Sequence, residues 1–307
     1  RVKSNGSVPK SSLVSIAFLS ALLGGGSVAQ AVDANQLPTG GVIAAGSGSI
    51  AASGNSMTIQ QSSQKMVANW SSFNVGSDAS VRVQQPNASA AALNRIAGQS
   101  PSQILGSLSA NGRVFLVNPS GIVFGKTARV DVGGLVASTL NISDNDFLAG
   151  NYAFRSTGSA GTLRNEGVIN AMPNGVVALL SPSVVNNGTI NAAGGTVALA
   201  AGNAMTLDFG GDGLMTVRVD EGAVNALVEN NALIKADGGL VVMSAKAADE
   251  LALSAVNSSG VVQAMSVVEK NGRILLDAEG GQSTVSGTLD ASSVDDKGGQ
   301  IVVTGKQ

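Results

Sequence analysis

Two neighbouring stretches of sequence decide the fold: Ile169-Asn170-Ala171 leads to Gly175-Val176-Val177-Ala178-Leu179, and 21 residues later Ile190-Asn191-Ala192 leads to Gly195-Thr196-Val197-Ala198-Leu199. Each stretch reads as a short strand, a glycine corner and a second short strand. The same order returns at residues 234–243, 262–276 and 289–303, so that successive units start 21, 44, 28 and 27 residues apart. Such a repeat is typical of a solenoid, in which stacking supplies the core that one unit lacks. The interval of 44 residues predicts two coils.

We predict an all-β fold, a right-handed parallel β-helix with an N-terminal β cap and small strands outside the helix. Each coil would return to the same side of the molecule one strand spacing higher, about 4.8 Å. In-register stacking would place Ile169 against Ile190, and asparagine side chains at the corners would hydrogen-bond along the stack. The chain after residue 31 would form on the order of ten coils and a rod about 50 Å long.

The composition indicates which residue types form the core and which classes of function are excluded. The 307 residues include 40 glycines, only 3% aromatic residues, and neither cysteine nor histidine. The core is therefore expected to consist of Val, Ile, Leu and Ala. Without Cys or His the chain has no Cys or Ser-His nucleophile system and no thiolate or imidazole metal ligand, so we predict no cofactor, no metal and no enzymatic activity. A net charge of −2 provides no basic field, and nucleic acid is not an expected partner.

The beginning of the chain has the pattern of a secretory signal. Three basic residues precede an apolar run at residues 13–23, which is too short to span a membrane. Ala29-Gln30-Ala31 supplies the small residues that a signal peptidase reads. Residues 1–31 are therefore predicted to be a signal peptide.

The remaining residues are predicted to form one unit with three parts. Residues 32–60 would cap the open edge of the first coil, because an uncapped sheet edge invites pairing with other chains. Residues 61–160 would form the first, motif-bearing coils, and residues 161–307 the regular repeats. The last strand pattern has no polar cap after it, so we expect the solenoid to continue beyond residue 307.

A second informative stretch is the corner at residues 118–121, Asn-Pro-Ser-Gly. An apolar run at residues 114–117 precedes it, and Ile122-Val123-Phe124 follows it. Proline fixes φ near −65° at the second turn position and glycine supplies a positive φ, so these residues predict a turn between two buried strands. The residue chemistry alone indicates no more than a turn.

Several short motifs around this corner occur together, in one order. Asn118-Pro119-Ser120-Gly121-Ile122 continues into residues 124–125 and 130–139. Further motifs lie upstream and downstream, at Trp70-Ser71-Ser72-Phe73-Asn74-Val75-Gly76, Leu93-Asn94-Arg95-Ile96, Pro101-Ser102-Gln103-Ile104, Asp220-Glu221-Gly222-Ala223-Val224-Asn225 and Ala236-Asp237-Gly238-Gly239. Together they resemble the secretion domain of two-partner-secretion exoproteins, the filamentous-haemagglutinin-like adhesins. The family has Asn in place of Ser120, and its second motif, Asn-Pro-Asn-Leu, falls on Gln85-Pro86-Asn87-Ala88.

The resemblance implies a function in export. A cognate outer-membrane β-barrel transporter of a Gram-negative bacterium would recognise the turn motifs in the periplasm, and the adhesin would fold as it emerges, to be secreted or held at the cell surface. The residues that this assigns to transporter recognition are Asn118, Pro119, Ser120, Gly121 and Ile122, with Gln85, Pro86 and Asn87. A host or matrix carbohydrate, or a cell-surface receptor, would be a partner of the full-length protein.

Two segments outside the repeats have less regular patterns. Residues 88–108 include Ala-Ala-Ala-Leu-Asn-Arg-Ile and predict a short helical piece, whereas the polar residues after Leu140 predict a loop. In contrast, the alternation in Ser80-Val81-Arg82-Val83-Gln84 predicts a half-buried strand.

Three other functions stay open on the sequence. This segment itself could bind host or matrix sugar through exposed ladders of Asn, Thr and Ser. Contact-dependent toxin carriers have a similar N-terminal part. They differ from adhesins in a toxic C-terminal part, which would lie beyond residue 307. Many parallel β-helices cleave polysaccharides, and Asp208, Asp212, Asp220 and Glu221 lie close together in the sequence, with Arg218 nearby. Calcium with an arginine base would need such groups to converge on one face. No neighbouring unit repeats this acidic cluster, which favours a solvent-facing strand surface instead.

Overall fold

The computed structural model describes residues 32–210, 214–249, 254–267, 270–293 and 297–306. The predicted signal peptide, residues 1–31, lies outside the described residues. In the described part of the chain, no helix has the length and apolar character that crossing a bilayer requires.

The described elements are strands of three to seven residues and a single short helix. The first half of the chain contains β1 (Val42–Ala45), β2 (Gly48–Ser53), β3 (Ser56–Gln61), β4 (Lys65–Trp70), β5 (Ser80–Gln84), β6 (Ala91–Ile96), β7 (Ser102–Ile104), β8 (Ser107–Ala110), β9 (Arg113–Val117), β10 (Ile122–Phe124), β11 (Arg129–Val132), β12 (Gly134–Ser138), α1 (Asp144–Ala149) and β13 (Tyr152–Arg155). The second half contains β14 (Leu163–Asn165), β15 (Val168–Ala171), β16 (Val176–Ser181), β17 (Ser183–Asn186), β18 (Thr189–Asn191), β19 (Thr196–Ala201), β20 (Ala204–Asp208), β21 (Thr216–Glu221), β22 (Ala226–Asn230), β23 (Leu233–Lys235), β24 (Leu240–Lys246), β25 (Ser254–Ser258), β26 (Val261–Gln263), β27 (Arg273–Glu279), β28 (Gln282–Val285), β29 (Thr288–Asp290) and β30 (Gln300–Thr304).

Three long sheets form the faces of a coiled chain. The first sheet has the order β1-β4-β6-β9-β12-β16-β19-β24-β27-β30, the second β2-β3-β5-β8-β11-β15-β18-β23-β26-β29, and the third β7-β10-β14-β17-β22-β25-β28. Neighbouring strands in them are parallel, except where β1 joins β4 and β2 joins β3. Each coil thus adds one rung to each face, and the predicted all-β parallel β-helix is confirmed.

The interior of the helix consists of columns of aliphatic side chains. Ile169 lies against Ile190, as predicted, and the same column continues through Ile234 and Val262. All four side chains are fully buried. The register is fixed because a slip by one residue would turn each column towards solvent.

Leu199→Ala is expected to lower the free energy of unfolding by about 2–5 kcal/mol, because it leaves a cavity in such a column. Leu199 is fully buried between Leu179 and Met243. Urea unfolding of the purified protein measures the loss. The volume-conserving control Leu199→Met should cost less than about 1.5 kcal/mol; equal losses for the two variants would contradict a tightly packed column.

The 44-residue interval contains one coil, so the prediction of two coils was wrong. Ile190 pairs directly with Ile234, and Val197 pairs directly with Val241. Strands β20 and β21 leave the helix between these rungs and join β13 in a separate antiparallel sheet. This excursion lengthens the interval without adding a rung to the helix, which is why the length of the interval suggested an extra coil.

Two local predictions were also wrong. Residues 88–108 form β6, β7 and β8 rather than a helical piece, because β6 pairs on both sides with strands of neighbouring coils and this pairing outweighs local helix propensity. The polar segment after Leu140 contains α1 instead of only a loop. Ser143 caps the helix by accepting a hydrogen bond from the Asp146 N–H at 3.0 Å. The half-buried strand at residues 80–84 is confirmed as β5.

A second core lies on the outer face of the first sheet. It gathers five of the few aromatic side chains, Phe115, Phe147, Tyr152, Phe154 and Phe209. Phe115 lies 5.2 Å, between ring centroids, from both Phe147 and Tyr152. The expectation of a purely aliphatic core was therefore wrong, since α1, β13 and the β20–β21 hairpin form an outlying layer held by aromatic contacts.

Polar contacts also hold α1 against the first sheet. The Lys65 ammonium donates to the carbonyl oxygens of Phe147 at 3.1 Å and Leu148 at 2.9 Å, at the C-terminal end of the helix. At the other end, Arg95 forms an ion pair with Asp144 at 2.6 Å. The helix is thus fixed at both ends to strands β4 and β6.

Candidate functional site

Residues 118–121 form a corner between the first and third sheets. Strand β9 ends at Val117 and β10 begins at Ile122, so the predicted strand, turn and strand are confirmed. The Gly121 N–H donates to the Asn118 carbonyl at 3.0 Å, and the Ser120 N–H donates to the Asn118 side-chain oxygen at 3.0 Å. Gly121 has φ +124°, in the region that favours glycine. The corner is therefore a closed turn reinforced by its own asparagine.

The Asn118 side chain lies inside the coil. It is 0% exposed, and its Nδ2 donates to the Ser100 carbonyl and to Ser102 Oγ, each at 3.0 Å. Its backbone N–H donates to the Ser138 carbonyl of the next coil at 3.0 Å. All polar atoms of this side chain therefore have partners within the domain, and the folded corner does not present them to another protein.

The other residues of the corner join it to the following coil. The Gly161 N–H donates to the Pro119 carbonyl at 2.7 Å, and the Ile122 N–H donates to the Thr162 carbonyl at 3.1 Å. Ile122 is fully buried, whereas Pro119 and Ser120 are half-buried. In the folded state, these two residues provide most of the accessible surface of the motif.

Gln85 is a buried hub at a different corner. Its Nε2 donates to Gln61 Oε1 at 3.0 Å and to the Ala90 carbonyl at 3.1 Å, while its Oε1 accepts from the Gly112 N–H at 2.9 Å. The side chain is 7% exposed. It joins three successive coils. Glutamine suits this role because its side chain is one methylene longer than the asparagine of the family motif.

Pro86 and Asn87, which follow Gln85 in the chain, lie on the surface. Both are exposed, and the Asn87 side chain donates to Gln64 Oε1 at 3.0 Å. This segment connects β5 of the second sheet to β6 of the first, whereas residues 118–121 connect β9 of the first sheet to β10 of the third. The structure therefore places the two predicted recognition motifs at different corners and does not bring them into one site.

Comparison with known proteins identifies the family. The model of the TPS secretion domain matches residues 29–291 of the chain. The chain belongs to the TPS secretion-domain family. The resemblance to two-partner-secretion exoproteins is thereby confirmed.

Two relatives and one solved structure support this assignment. Two curated proteins, both named heme/hemopexin-binding protein and both from Haemophilus influenzae, are 32% and 30% identical over 253 and 244 residues. The alignments cover 80% and 73% of this chain but 28% and 26% of the relatives, so the chain spans about a quarter of their length. The crystal structure of the HMW1 secretion domain from Haemophilus influenzae is 26% identical, with a TM-score of 0.65 over 88% of this chain and 85% of that one.

In this secretion domain, a buried ladder of three asparagines confirms the predicted hydrogen bonding of corner asparagines along the stack, although the sequence did not show which asparagines form it. Asn165, Asn186 and Asn230 are 0% exposed, and each successive Nδ2–Oδ1 hydrogen bond is 2.8 Å long. They occupy equivalent corner positions in the third sheet. Their spacing of 21 and 44 residues equals that of the main repeat, which is the signal that could have found them.

The carboxylates considered for catalysis lie on the β20–β21 hairpin of the secretion domain. Asp220 accepts hydrogen bonds from Thr206 Oγ1 and Arg218 Nε, each at 2.6 Å. Partial burial opposes ionisation of Asp220, but these hydrogen bonds and the charges of Arg218 and Arg155 outweigh it, so its pKa lies below the ordinary value. Such a carboxylate is a poor proton acceptor at neutral pH. Asp212 lies outside the described residues, and among those described, no group of three or more Asp or Glu residues is placed to hold a metal ion.

Proposed function

We propose that this secretion domain is the part of a large secreted or surface-bound adhesin that a cognate outer-membrane β-barrel transporter recognises in the periplasm. The family membership carries the proposal, since it extends across residues 29–291. The chain spans about a quarter of its curated relatives, as expected for a domain that directs a longer protein outward. In this proposal, Asn118, Pro119, Ser120, Gly121 and Ile122 are read by the transporter, together with Gln85, Pro86 and Asn87.

The burial of the corner limits the form in which it is read. In the folded coil Asn118 and Ile122 are 0% exposed, and the Asn118 amide is saturated by Ser100, Ser102 and Ser120. The transporter must therefore meet this segment before its coil closes. An open segment of strand-forming sequence offers backbone donors and acceptors for strand addition, which needs neither charge nor aromatic anchors.

Closing of the coils then supplies a direction to export. Each coil that forms buries another rung of the aliphatic columns, such as Ile169 followed by Ile190 and Ile234. Solenoids propagate through contacts between nearest neighbours, so folding at the outer surface stabilises the chain that has already emerged. The free energy of folding would thus oppose backward movement where no ATP is present.

The names of the curated relatives raise the question of heme. The chain contains no histidine or cysteine, two of the side chains that most often hold heme iron. Its single tyrosine, Tyr152, is 8% exposed and packs against Phe115. We propose that any heme-related activity of the whole protein resides outside this domain.

Co-expression of the full-length protein with and without its transporter tests the proposal. With the transporter, the protein should appear in the medium or at the cell surface; without it, the same amount should remain in the periplasm, as measured by fractionation and immunoblotting. Equal surface levels in both strains would contradict transporter recognition. Attachment of the two strains to host cells or matrix tests the adhesin role separately.

A further inference from the structure

Three clefts follow the side of the β-helix where the second sheet meets the first. Their volumes are about 480, 440 and 300 Å³. Met172 lines the first two, and Asn174 lines the last two. The clefts are therefore contiguous, and we call them the corner groove, which extends from Arg82 past Met172 and Asn174 to Lys270.

The corner groove is long and follows successive coils. Arg82 lies in β5, and Lys270 follows β26. In the second sheet these strands are six steps apart, through β8, β11, β15, β18 and β23. At about 4.8 Å for each step, the backbones of Arg82 and Lys270 are about 29 Å apart. The Lys270 ammonium reaches back to Asn174, which follows β15, three steps from β5, so the two charges lie on the order of 14 Å apart along the axis. A ligand that contacts both must be extended along the helix axis.

The groove is positively charged although the protein as a whole is not. Its described lining includes four cationic side chains, Arg82, Arg113, Lys270 and Arg273. Among the lining residues that the structure describes, the one carboxylate is that of Asp131. Its two oxygens already accept hydrogen bonds from Arg129 at 3.0 Å and Asn170 at 2.7 Å. The described lining therefore has four cations for one carboxylate, whereas the chain as a whole has 18 cationic and 20 acidic residues.

Two glycines at neighbouring corners leave room for the Lys270 side chain to lie along the groove. Its ammonium donates to Asn174 Oδ1 at 2.8 Å, so its partner there is a neutral amide, not a carboxylate. Between them lie Gly194 and Gly238, with φ of +67° and +70°. A Cβ built on Gly194 would lie 3.6 Å from the Lys270 nitrogen, and one on Gly238 would lie 3.6 Å from the Lys270 Cβ. Because these glycines have no side chains, the aliphatic part of Lys270 can lie across both corners.

We propose that the corner groove binds a linear acidic polysaccharide. The spaced cations pair with carboxylate or sulfate groups, and the amide side chains of Gln84 and Asn271 hydrogen-bond with sugar hydroxyls. Single-stranded nucleic acid fits this lining less well, because its binding relies on bases stacked on aromatic rings. Phe209 is the aromatic side chain of the described lining, and the Arg113 guanidinium covers it at 4.7 Å from the ring centroid.

Two double variants with the same change in net charge test the proposal. Arg82→Gln with Lys270→Gln removes two cations from the groove, and Lys126→Gln with Arg164→Gln removes two exposed cations elsewhere. Binding of hexagalacturonate to the purified protein is measured by calorimetry, with trigalacturonate, maltohexaose and oligo(dT) as comparison ligands. Thermal melts verify that both double variants are folded.

The expected result is a loss of affinity for hexagalacturonate of about tenfold or more in the groove variant and less than about twofold in the control variant. The wild type should bind the hexamer more tightly than the trimer, because the hexamer contacts more of the groove lining, and it should bind maltohexaose only weakly, because that ligand carries no charge. Equal losses in the two double variants would overturn the proposal and indicate nonspecific charge attraction. Tighter binding of oligo(dT) than of hexagalacturonate would overturn it in favour of nucleic acid.

Discussion

Asn118→Ala is expected to abolish surface display, with the full-length chain accumulating in the periplasm. The substitution removes the amide that closes the corner through Ser120 and ties it to Ser100 and Ser102. It also removes the side chain that, under the proposed function, the transporter reads in the open chain. Fractionation and immunoblotting of cells that express the transporter measure the effect.

Asn186→Ala is the control that distinguishes a loss of transporter recognition from a loss of folding stability. Asn186 is also 0% exposed and makes two hydrogen bonds of 2.8 Å in the ladder with Asn165 and Asn230. Either substitution to alanine should cost about 1–3 kcal/mol of stability, because buried partners lose their hydrogen bonds. If only stability controlled export, Asn186→Ala would block it equally. Normal surface levels of the Asn118→Ala protein would contradict the recognition assignment.

Phe115→Ala is expected to cause the largest loss of stability among single side-chain truncations of the outlying layer, about 3–5 kcal/mol. Phe115 is fully buried on β9 and contacts Phe147 on α1 and Tyr152 on β13. Without this ring, the layer loses its shared anchor on the first sheet, while the interior columns are untouched. Denaturant unfolding measures the total loss, and hydrogen exchange at residues 152–155 reports opening of the layer.

Phe115→Leu is the control for this prediction, because it keeps an apolar side chain at the same position. It should lose less stability than Phe115→Ala and keep residues 152–155 protected from exchange. A loss below about 1 kcal/mol for Phe115→Ala would show that the outlying layer does not depend on the aromatic core.

The regular part of the fold could be predicted because its information is local and repeated. A strand, a glycine corner and a second strand recur in the same order, so Ile169 and Ile190 identify each other as neighbours. The outlying layer lacks such a repeat. Phe115, Phe147 and Phe209 come together from positions far apart in the sequence, and β21 alternates in the same way as a coil strand. Only the pairing of strands in the folded protein shows that β21 belongs to the outlying layer and not to a coil.

The candidate site shows a similar division. The turn at residues 118–121 followed from proline and glycine chemistry, and its resemblance to a family motif directed attention to it. The burial of Asn118 could not be predicted, because Ser100 and Ser102 reach it from the preceding rung across an unpredicted corner. The hub made by Gln85 was missed for the same reason, since Gln61 and Gly112 lie in the coils before and after it.

The reversed pairing at the first rungs gives the stack a polarity. Strand β1 lies antiparallel against β4, with an irregularity between Ile43 and Ala45, and β2 lies antiparallel against β3. A second molecule that approached the first sheet at this end would meet β1, which a bulge interrupts, and a bulged edge resists uncontrolled pairing. Fibre formation through the first sheet at this end is thereby disfavoured.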